Sequence, residues 1–386
     1  MNILFLVGCI CAALYLLLLW LKSILSLRYA TSHPETNKLD QPITVLQPIL
    51  GGDPTLHDTL KGNLLTATTV TRFIWLVDES DVAGRAVATP LSETYADLVQ
   101  LVLCPDCPPG LNPKLFKLNL AWPRVTTEFL AVLDDDTSLS PGQLQKAMAA
   151  LAGCELYTGL PCYRVAGNLW SRLVAHFVNN NSALTYLSLL SWVGPLTING
   201  MFYVMRTETL RSLNGFQPIL ERLCDDYALA RLVRDQGGRI LQGLTFQRIQ
   251  TSVSGPGHYL RLMHRWFLFA NVLIRDQPYR IQILLVVFLG LPPVFLAASL
   301  LCLARGWWGA GMVTSVLVLR HLLLQRVQRR IFTESLKLSW WISPVSEIVQ
   351  PLHLAHACLS SRITWRSRTI SVGRNGGFTQ EAVRPS

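Results

Sequence analysis

FLAVLDDD, residues 129–136, is an apolar run that ends in three consecutive aspartates. Its uninterrupted apolar part predicts a strand, FLAVLD (129–134), that is buried on both faces of a sheet. Adjacent carboxylates repel one another and gain nothing from burial unless a cation or hydrogen-bond donors compensate their charge. A loop with one helix-capping aspartate is the simpler alternative, but the position at a strand end favours a ligand site.

Three segments before this stretch have the same apolar character, and helix-like segments separate them. Pro54 after Asp53 and Pro141 after Ser140 predict helix starts, because proline suits the first helical turn. Apolar strands that alternate with helices predict an α/β fold with a mostly parallel sheet covered on both faces. The strand-like segments are ITVLQPIL (43–50), FIWLVD (73–78) and LVQLVLC (98–104).

Two aspartates of the triplet are candidate metal ligands. In a D-x-D arrangement after a strand, Asp134 and Asp136 can face the same cation. Mg²⁺ and Mn²⁺ favour oxygen ligands that the protein supplies only in part, so diphosphate oxygens can complete the set. The metal would then neutralise charge on a leaving nucleoside diphosphate.

Two further carboxylates are candidates for substrate binding and catalysis. Asp78 ends the strand at 73–78 and suits a hydrogen bond to a nucleotide base or ribose, with a turn-forming aspartate as the alternative. Asp226 follows Asp225 at the start of the helical pattern DDYALARLVRD, where acids are also expected on dipole grounds alone. The functional interpretation makes Asp226 the general base that takes a proton from an acceptor hydroxyl. That hydroxyl attacks an anomeric carbon and inverts it.

Cationic and aromatic residues supply the remaining candidates for donor binding. Lys114, in GLNPK (110–114), lies near the start of a predicted helix and either binds phosphate or is solvated. In HYLRLMHRWF (258–267), Arg265 suits diphosphate binding and Trp266 suits stacking on the sugar or acceptor. An amphipathic interfacial helix with a snorkelling arginine and an interfacial tryptophan is the alternative for this segment.

The charge distribution indicates a lipid bilayer as a partner and excludes nucleic acid. Half of the residues are hydrophobic and only 15% are charged, which is low for a soluble protein. Of the net charge of +10, residues 261–386 supply 15 basic against 4 acidic residues, and the first 260 residues carry 19 against 20. The basic excess therefore flanks apolar segments, as in membrane proteins, and does not lie on the soluble region.

Apolar segments at both ends predict a multi-pass integral membrane protein. Residues 3–21 are uncharged and long enough to cross a bilayer, and we interpret residues 1–28 as a retained anchor. Residues 281–360 contain two further spans, the first interrupted by Pro292 and Pro293, and a segment (338–359) that either crosses or re-enters. Residues 41–273 form the predicted catalytic domain and residues 361–386 a basic tail. The positive-inside rule places both in the cytosol.

The uncharged stretch 183–204 is long enough to be a further transmembrane helix. The carboxylates before and after it must lie in one compartment if they form one site. We therefore predict a buried or interfacial segment inside the catalytic domain.

Taken in order, these residues resemble the ceramide glucosyltransferase family, a membrane-bound branch of the inverting GT-A glycosyltransferases. Asp78, Asp134 and Asp226 match the family's three aspartate positions. Further similarities are PILGGDPTL (48–56), GLNPK (110–114), GLPCY (159–163), RITWRSR (362–368) and the pair Gly376–Gly377. The resemblance implies a GT-A nucleotide-sugar-binding domain, a UDP-sugar donor, a divalent metal (Mn²⁺ or Mg²⁺) and a membrane lipid acceptor.

Two positions depart from the family pattern. Leu262 stands at the first position of a Q/R-x-x-R-W motif, and a family cysteine is replaced at about Thr197. Glucose and ceramide are the expected substrates, and a hopanoid polyol, diacylglycerol and UDP-N-acetylglucosamine remain open. The membrane is the cytoplasmic membrane of a bacterium, or the Golgi or endoplasmic reticulum of a eukaryote.

A transporter or non-catalytic receptor is the competing hypothesis of another class. The long α/β region with strand-end carboxylates speaks against it. Only Glu347, among acids within apolar segments, could serve an ion path. Among the nine cysteines, Cys104 and Cys107 form one CxxC pair without a second, so we predict no structural zinc.

Overall fold

The computed structural model describes residues 3–33, 38–332, 336–365, 368–373 and 377–380. Arg366, Arg374 and Gly376 of the predicted tail lie outside them. The chain forms two compact units. The helical unit comprises Met1–His33, Val165–Gly194 and Val253–Thr364, and the sheet unit comprises Pro34–Arg164, Pro195–Ser252 and Trp365–Ser386.

An eight-stranded mixed sheet organises the sheet unit. Its order is β3-β2-β1-β4-β7-β6-β8-β5, in which β1 to β4 run parallel and β7 is antiparallel to both of its neighbours. Four of the seven strand pairings are parallel. The strands are β1 (Ile43–Ile49), β2 (Thr71–Asp78), β3 (Val99–Cys104), β4 (Phe129–Leu133), β5 (Thr137–Ser138), β6 (Leu156–Tyr163), β7 (Phe202–Arg206) and β8 (Ile240–Ile249).

Helices cover both faces of this sheet, which is why its strands are apolar on both sides. Leu46 and Val132 point into one hydrophobic core, while their neighbours Val45 and Ala131 point into the other. The fold class predicted from the sequence is thus confirmed. The helices of the unit are α2 (Leu56–Thr66), α3 (Val82–Thr94), α4 (Pro113–Ala121), α5 (Gln143–Ala150), α8 (Thr207–Ser212) and α9 (Asp225–Asp235), with short 3₁₀ turns at Trp122–Arg124 and Gln217–Ile219.

Two predicted helix starts are displaced by a few residues. The helix after β1 begins at Leu56, because the Asp53 carboxylate accepts hydrogen bonds from the backbone N–H and hydroxyl of Thr55 and forms a turn first. The helix after Pro141 begins at Gln143, since Gly142 adopts a positive φ of 80°. Gly51, between β1 and α2, lies so close to Gly84 of α3 that a side chain would collide with its backbone.

The uncharged stretch 183–204 does not form one helix. It contains the end of helix α6 (Leu169–Tyr186), the short helix α7 (Leu190–Val193) and the beginning of β7. Only this arrangement supplies the antiparallel strand beside β4, which no periodicity in the sequence predicted. The stretch is divided between the two units at Gly194.

Helices dominate the other unit. They are α1 (Ile3–Ser32), α6 (Leu169–Tyr186), α7 (Leu190–Val193), α10 (Pro256–Arg275), α11 (Tyr279–Leu285), α12 (Leu291–Ser299), α13 (Trp307–Ile331), α14 (Ile342–Ile348) and α15 (Gln350–Leu359). Near the C-terminus, β9 (Arg362–Trp365), β10 (Arg368–Val372) and β11 (Phe378–Gln380) form a sheet in the order β11-β10-β9.

Three helical segments among the described residues are long and apolar enough to cross a membrane: Ile3–Ser32, Tyr279–Arg305 and Trp307–Ile331. The second is irregular, with a π-helical turn at Val286–Gly290 immediately before the prolines and a 3₁₀ segment at Leu300–Arg305. Proline cannot donate the helical hydrogen bond, so irregular turns near it are expected. The segment 338–359 forms two short helices, α14 and α15, each shorter than a membrane crossing requires.

A buried ion pair joins α13 to α14 in the helical unit. The Nε and Nη2 atoms of Arg320 each lie 2.8 Å from Glu347 Oε2, and the Tyr15 hydroxyl of α1 donates to the same oxygen at 3.1 Å. The side chains of Arg320 and Glu347 are 1% and 10% exposed. The charge of Glu347 is therefore neutralised by Arg320. The transporter hypothesis thus loses the acidic residue that would have served its ion path.

Replacing Glu347 by Gln is expected to destabilise the protein by about 3–5 kcal/mol, because the guanidinium of Arg320 stays buried without its counter-charge. Urea unfolding in detergent, followed by circular dichroism, measures the loss. The double variant Arg320→Met/Glu347→Leu removes both charges and should lose less than the single variant. A single variant as stable as the parent would show that the pair does not hold these helices together.

Candidate active site

The carboxyl ends of the parallel strands carry the predicted carboxylates. Asp134 follows β4 directly, and its backbone N–H donates to the carbonyl of Met201, just before β7, at 2.9 Å. The Gln47 side chain of β1 donates to the Asp134 carbonyl at 3.3 Å. The backbone of Asp134 is thus fixed from both neighbouring strands, and its half-buried side chain is left to bind other groups.

Lys114 is the centre of the site. Asn112 caps α4 by accepting the backbone N–H of Lys114, which places the lysine in the first helical turn. Its Nζ lies 2.7 Å from Asp134 Oδ1 and 3.1 Å from Asp225 Oδ2, and donates to the Gly200 carbonyl at 2.8 Å. Lys114 is therefore not simply solvated. It joins the end of β4 to the first turn of α9.

The electrostatics keep Lys114 charged. Burial alone lowers the pKa of its ammonium, but the carboxylates of Asp134 and Asp225 outweigh burial, so the pKa lies well above its usual value. A permanent positive charge at this position suits the binding of phosphate oxygens.

Asp226 follows Asp225 in the first turn of α9. Its Oδ1 accepts the backbone N–H of Tyr227 at 2.7 Å and the thiol of Cys224 at 2.9 Å. Burial, and then the charge of Asp225, raise the pKa of Asp226 to about 6. A Cβ atom on Gly200 would lie 3.0 Å from the Cβ of Asp226, so glycine permits this close approach of the chain before β7.

The other two aspartates of the triplet have separate partners. Asp135 Oδ2 accepts the backbone N–H of Leu50 at 2.6 Å. Asp136 accepts the hydroxyls of Thr137 and Thr251, each at 3.0 Å. Burial and the neighbouring carboxylates raise the pKa of Asp135 to about 8 and that of Asp136 to about 6.

Excess negative charge makes the triplet compatible with a divalent cation. The carboxylate of Asp134 contacts one counter-charge, the ammonium of Lys114. The carboxylate oxygens of the triplet are ligands of the kind that Mg²⁺ and Mn²⁺ prefer. Within the described part of the chain, no group of three or more His, Cys, Asp or Glu side chains could by itself hold a metal ion. Asp134 and Asp136 would hold the cation together with oxygens of another molecule.

Asp78 has a partner that the sequence did not indicate. Its carboxylate, at the end of β2, lies 3.2 Å from Nζ of Lys117, which also donates to the Ile49 carbonyl at 2.9 Å. Lys117 is one turn after Lys114 on α4, and both of its contacts are buried. The i, i+3 spacing of the two lysines could have drawn attention to Lys117, whose role here is to neutralise Asp78.

Arg265 and Trp266 belong to the helical unit, on α10. Both are half-buried, and the indole of Trp266 stacks on Phe177 of α6 with ring centres 6.0 Å apart. Leu262, which departs from the family motif, is buried at 8% exposure on the same helix. The structure thus brings Lys114, Asp134 and Asp226 together in the sheet unit, with Asp225 and Cys224 as partners that sequence reasoning did not single out.

Comparison with known families identifies the family of the chain. Residues 1–378 match the sequence profile described as glycosyl transferase family 21. The chain belongs to this family. It is a glycosyltransferase, and the resemblance found in its sequence motifs is confirmed.

Two solved structures are similar to this family 21 transferase at low identity. A mannosyltransferase from Pyrobaculum calidifontis, solved with GDP-mannose and Mn²⁺, is 15% identical, with 92% of this chain and 98% of that chain covered and a TM-score of 0.49. Glucosyl-3-phosphoglycerate synthase from Mycobacterium tuberculosis, solved with Mn²⁺, UDP and phosphoglyceric acid, is 17% identical, with 61% and 76% covered and a TM-score of 0.37. Similarities of this extent carry no conclusion about substrates.

Proposed function

We propose that this glycosyltransferase moves glucose from UDP-glucose to the hydroxyl of ceramide at the cytosolic membrane surface, with inversion at the anomeric carbon. One observation carries the assignment of residues: Lys114 contacts both Asp134 and Asp225, and so links the proposed donor site to the helix turn that bears Asp226. The choice of glucose and ceramide rests on the family resemblance of the motifs around Asp78, Asp134 and Asp226.

The proposed reaction is a single displacement. Asp226 accepts the proton of the acceptor hydroxyl, and the hydroxyl oxygen forms a bond to C1 of the sugar. The bond from C1 to the diphosphate oxygen breaks, and its electron pair leaves with UDP. A divalent cation held by Asp134 and Asp136 supplies charge neutralisation for the diphosphate when bound.

The remaining residues bind the donor in this proposal. Lys114 contacts phosphate oxygens in this proposal, because its ammonium is charged. The ammonium now contacts Asp134, and a cation bound to Asp134 would replace it there. Asp78, held by Lys117, accepts a hydrogen bond from the nucleotide base or ribose. For Arg265 and Trp266, on α10 of the helical unit, the sequence motif alone supports the predicted roles in diphosphate binding and in stacking on the sugar or acceptor.

The acid limb of the pH profile tests the general base. Only the ionised carboxylate accepts a proton, and the pKa of Asp226 is about 6, so kcat should fall as the pH is lowered through about 6. The profile is measured at saturating Mn²⁺, so that protonation of the metal ligands affects metal affinity and not kcat. A limb at about 4, the ordinary aspartate value, would contradict an elevated pKa of the base in the working enzyme.

The acceptor is the part of the proposal with a specific alternative. Leu262 and Thr197 both depart from the family pattern, which favours a change at the acceptor site. The second candidate keeps the chemistry and replaces ceramide by a hopanoid polyol or diacylglycerol, with UDP-N-acetylglucosamine as the alternative donor.

The basic residues support the proposed membrane orientation. Lys22 and Arg28 close the first span, and Arg326, Arg329 and Arg330 close the last one. The positive-inside rule puts these ends in the cytosol, together with the residues that follow them. The proposed active site therefore faces cytosolic UDP-sugars.

Mass-spectrometric detection of glycolipid products tests the proposed function. Purified protein in detergent receives UDP-glucose or UDP-N-acetylglucosamine with Mn²⁺, against ceramide, diacylglycerol and a hopanoid polyol. We expect hexosylceramide from UDP-glucose, and its loss with EDTA. Product on another lipid alone would overturn the ceramide assignment and keep the reaction, whereas hexosylceramide formed equally well with EDTA would overturn the metal role.

A further inference from the structure

Cys224 makes a contact that the proposed reaction has not used. It precedes α9 and is only 7% exposed, and its Sγ lies 2.9 Å from Asp226 Oδ1. The backbone N–H of Tyr227 donates to the same oxygen at 2.7 Å. One oxygen of the carboxylate thus accepts hydrogen bonds from two donors, a thiol and a backbone amide.

The chemistry of the contact requires Cys224 to be the donor. Burial raises the pKa of its thiol well above the ordinary value, and the charge of Asp226 raises it further. A protonated thiol beside an ionised carboxylate donates an S–H···O hydrogen bond, which is weak between neutral groups and stronger when the acceptor is charged. A thiolate at this distance would instead repel the carboxylate.

We propose that Cys224 is a positioning residue for the transfer reaction: its thiol holds Asp226 Oδ1, so that Oδ2 is the atom that receives the proton of the acceptor hydroxyl. The inference rests on the proposed role of Asp226 as the base. It goes beyond that role by naming the reacting oxygen and the side chain that selects it.

The surroundings of Asp226 explain why an additional donor matters. The charge of Asp225 opposes ionisation of Asp226, while Lys114 and the thiol of Cys224 favour it. Lys114 contacts Asp225 and Asp134, so its charge is shared with other carboxylates. Loss of the thiol should therefore make the base harder to ionise and leave its carboxylate freer to rotate.

The test compares Cys224→Ala with Cys224→Ser, which keeps a donor. Turnover is followed with UDP-glucose and ceramide, or with the pair that gives the most product in the panel above. For Cys224→Ala we expect kcat to fall about tenfold, as for loss of a hydrogen bond to a charged group, with KM for the sugar nucleotide unchanged. The acid limb of its pH profile should move upward by about one pH unit. Cys224→Ser should restore most of the turnover and the position of the limb.

Cys162→Ala is the matched control. Cys162 is also a buried cysteine of the sheet unit, at 5% exposure on β6, and its replacement should leave kcat and the acid limb unchanged. Thermal unfolding and sugar-nucleotide binding of each variant establish that it is folded. A purely structural thiol would change stability without moving the pH profile.

The outcomes separate this inference from the proposed function. Cys224→Ala with parental kcat and an unmoved acid limb would overturn the role of the thiol, as would a Cys224→Ser variant no better than Cys224→Ala. A fully active Asp226→Asn variant would show that Asp226 is not the base, and it would refute the inference about Cys224 as well. An inactive Asp226→Asn together with an unaffected Cys224→Ala would refute the positioning role alone.

Discussion

Asp226→Asn is expected to lower kcat by about 10³-fold while the affinity for the sugar nucleotide stays nearly unchanged. The amide cannot accept the proton of the acceptor hydroxyl, so the transition state loses its base. Donor binding is retained because Tyr227 and Cys224 still donate to the amide oxygen, and the contact of Lys114 with Asp225 does not involve the replaced group. Single-turnover product formation and isothermal titration with UDP-glucose measure the two quantities.

Asp235→Asn is the matched control for this variant. Asp235 ends the same helix, pairs with Arg231 at 3.4 Å, and is 63% exposed. An exposed pair of this kind contributes at most about 1 kcal/mol to stability, so turnover should stay close to that of the parent. Normal turnover in Asp226→Asn would eliminate Asp226 as the base and leave the proposed mechanism without one.

Asp134→Ala is the second variant with a large expected effect. It removes a proposed metal ligand and one of the two carboxylates that contact Lys114. We expect Mn²⁺-dependent binding of UDP-glucose to weaken at least about 100-fold, since even outer-shell changes at metal sites cost 10- to 100-fold in affinity. Isothermal titration with UDP-glucose, with and without Mn²⁺, gives the metal-dependent part directly.

Two further variants distinguish loss of a metal ligand from loss of a charged side chain. Lys114→Met keeps Asp134, so it should weaken donor binding and still respond to Mn²⁺. Asp58→Ala removes a carboxylate that is 91% exposed on α2 and should behave like the parent. If the response to Mn²⁺ were the same in Asp134→Ala as in the parent, Asp134 would not be a metal ligand.

Much of the sheet was predictable from local pattern. The predicted strands at 43–50, 73–78, 98–104 and 129–134 correspond to β1 to β4 within two residues at each end. Each is an apolar run bounded by polar or turn-forming residues, and burial on both faces leaves little choice of structure. The positions of Asp78 and Asp134 at strand ends follow from the same pattern.

The segments whose secondary structure the sequence left open have compositions that suit more than one structure. The stretch 183–204 is apolar enough for a membrane helix, yet part of it becomes β7 because β4 and β6 offer hydrogen-bonding edges on either side. Similarly, the segment 338–359 breaks into α14 and α15, where Glu347 meets Arg320. Contacts with distant parts of the chain decide such cases, and propensity does not.

The sequence by itself determined the family, the apolar strands and the carboxylates that end them, because each depends on residues adjacent in the chain. Only the tertiary structure decided which polar and charged side chains contact one another. Lys114 contacts Asp134 and Asp225, Lys117 neutralises Asp78, and Cys224 binds Asp226. A buried carboxylate needs a compensating donor or cation, and only the folded chain brings that group within hydrogen-bonding distance.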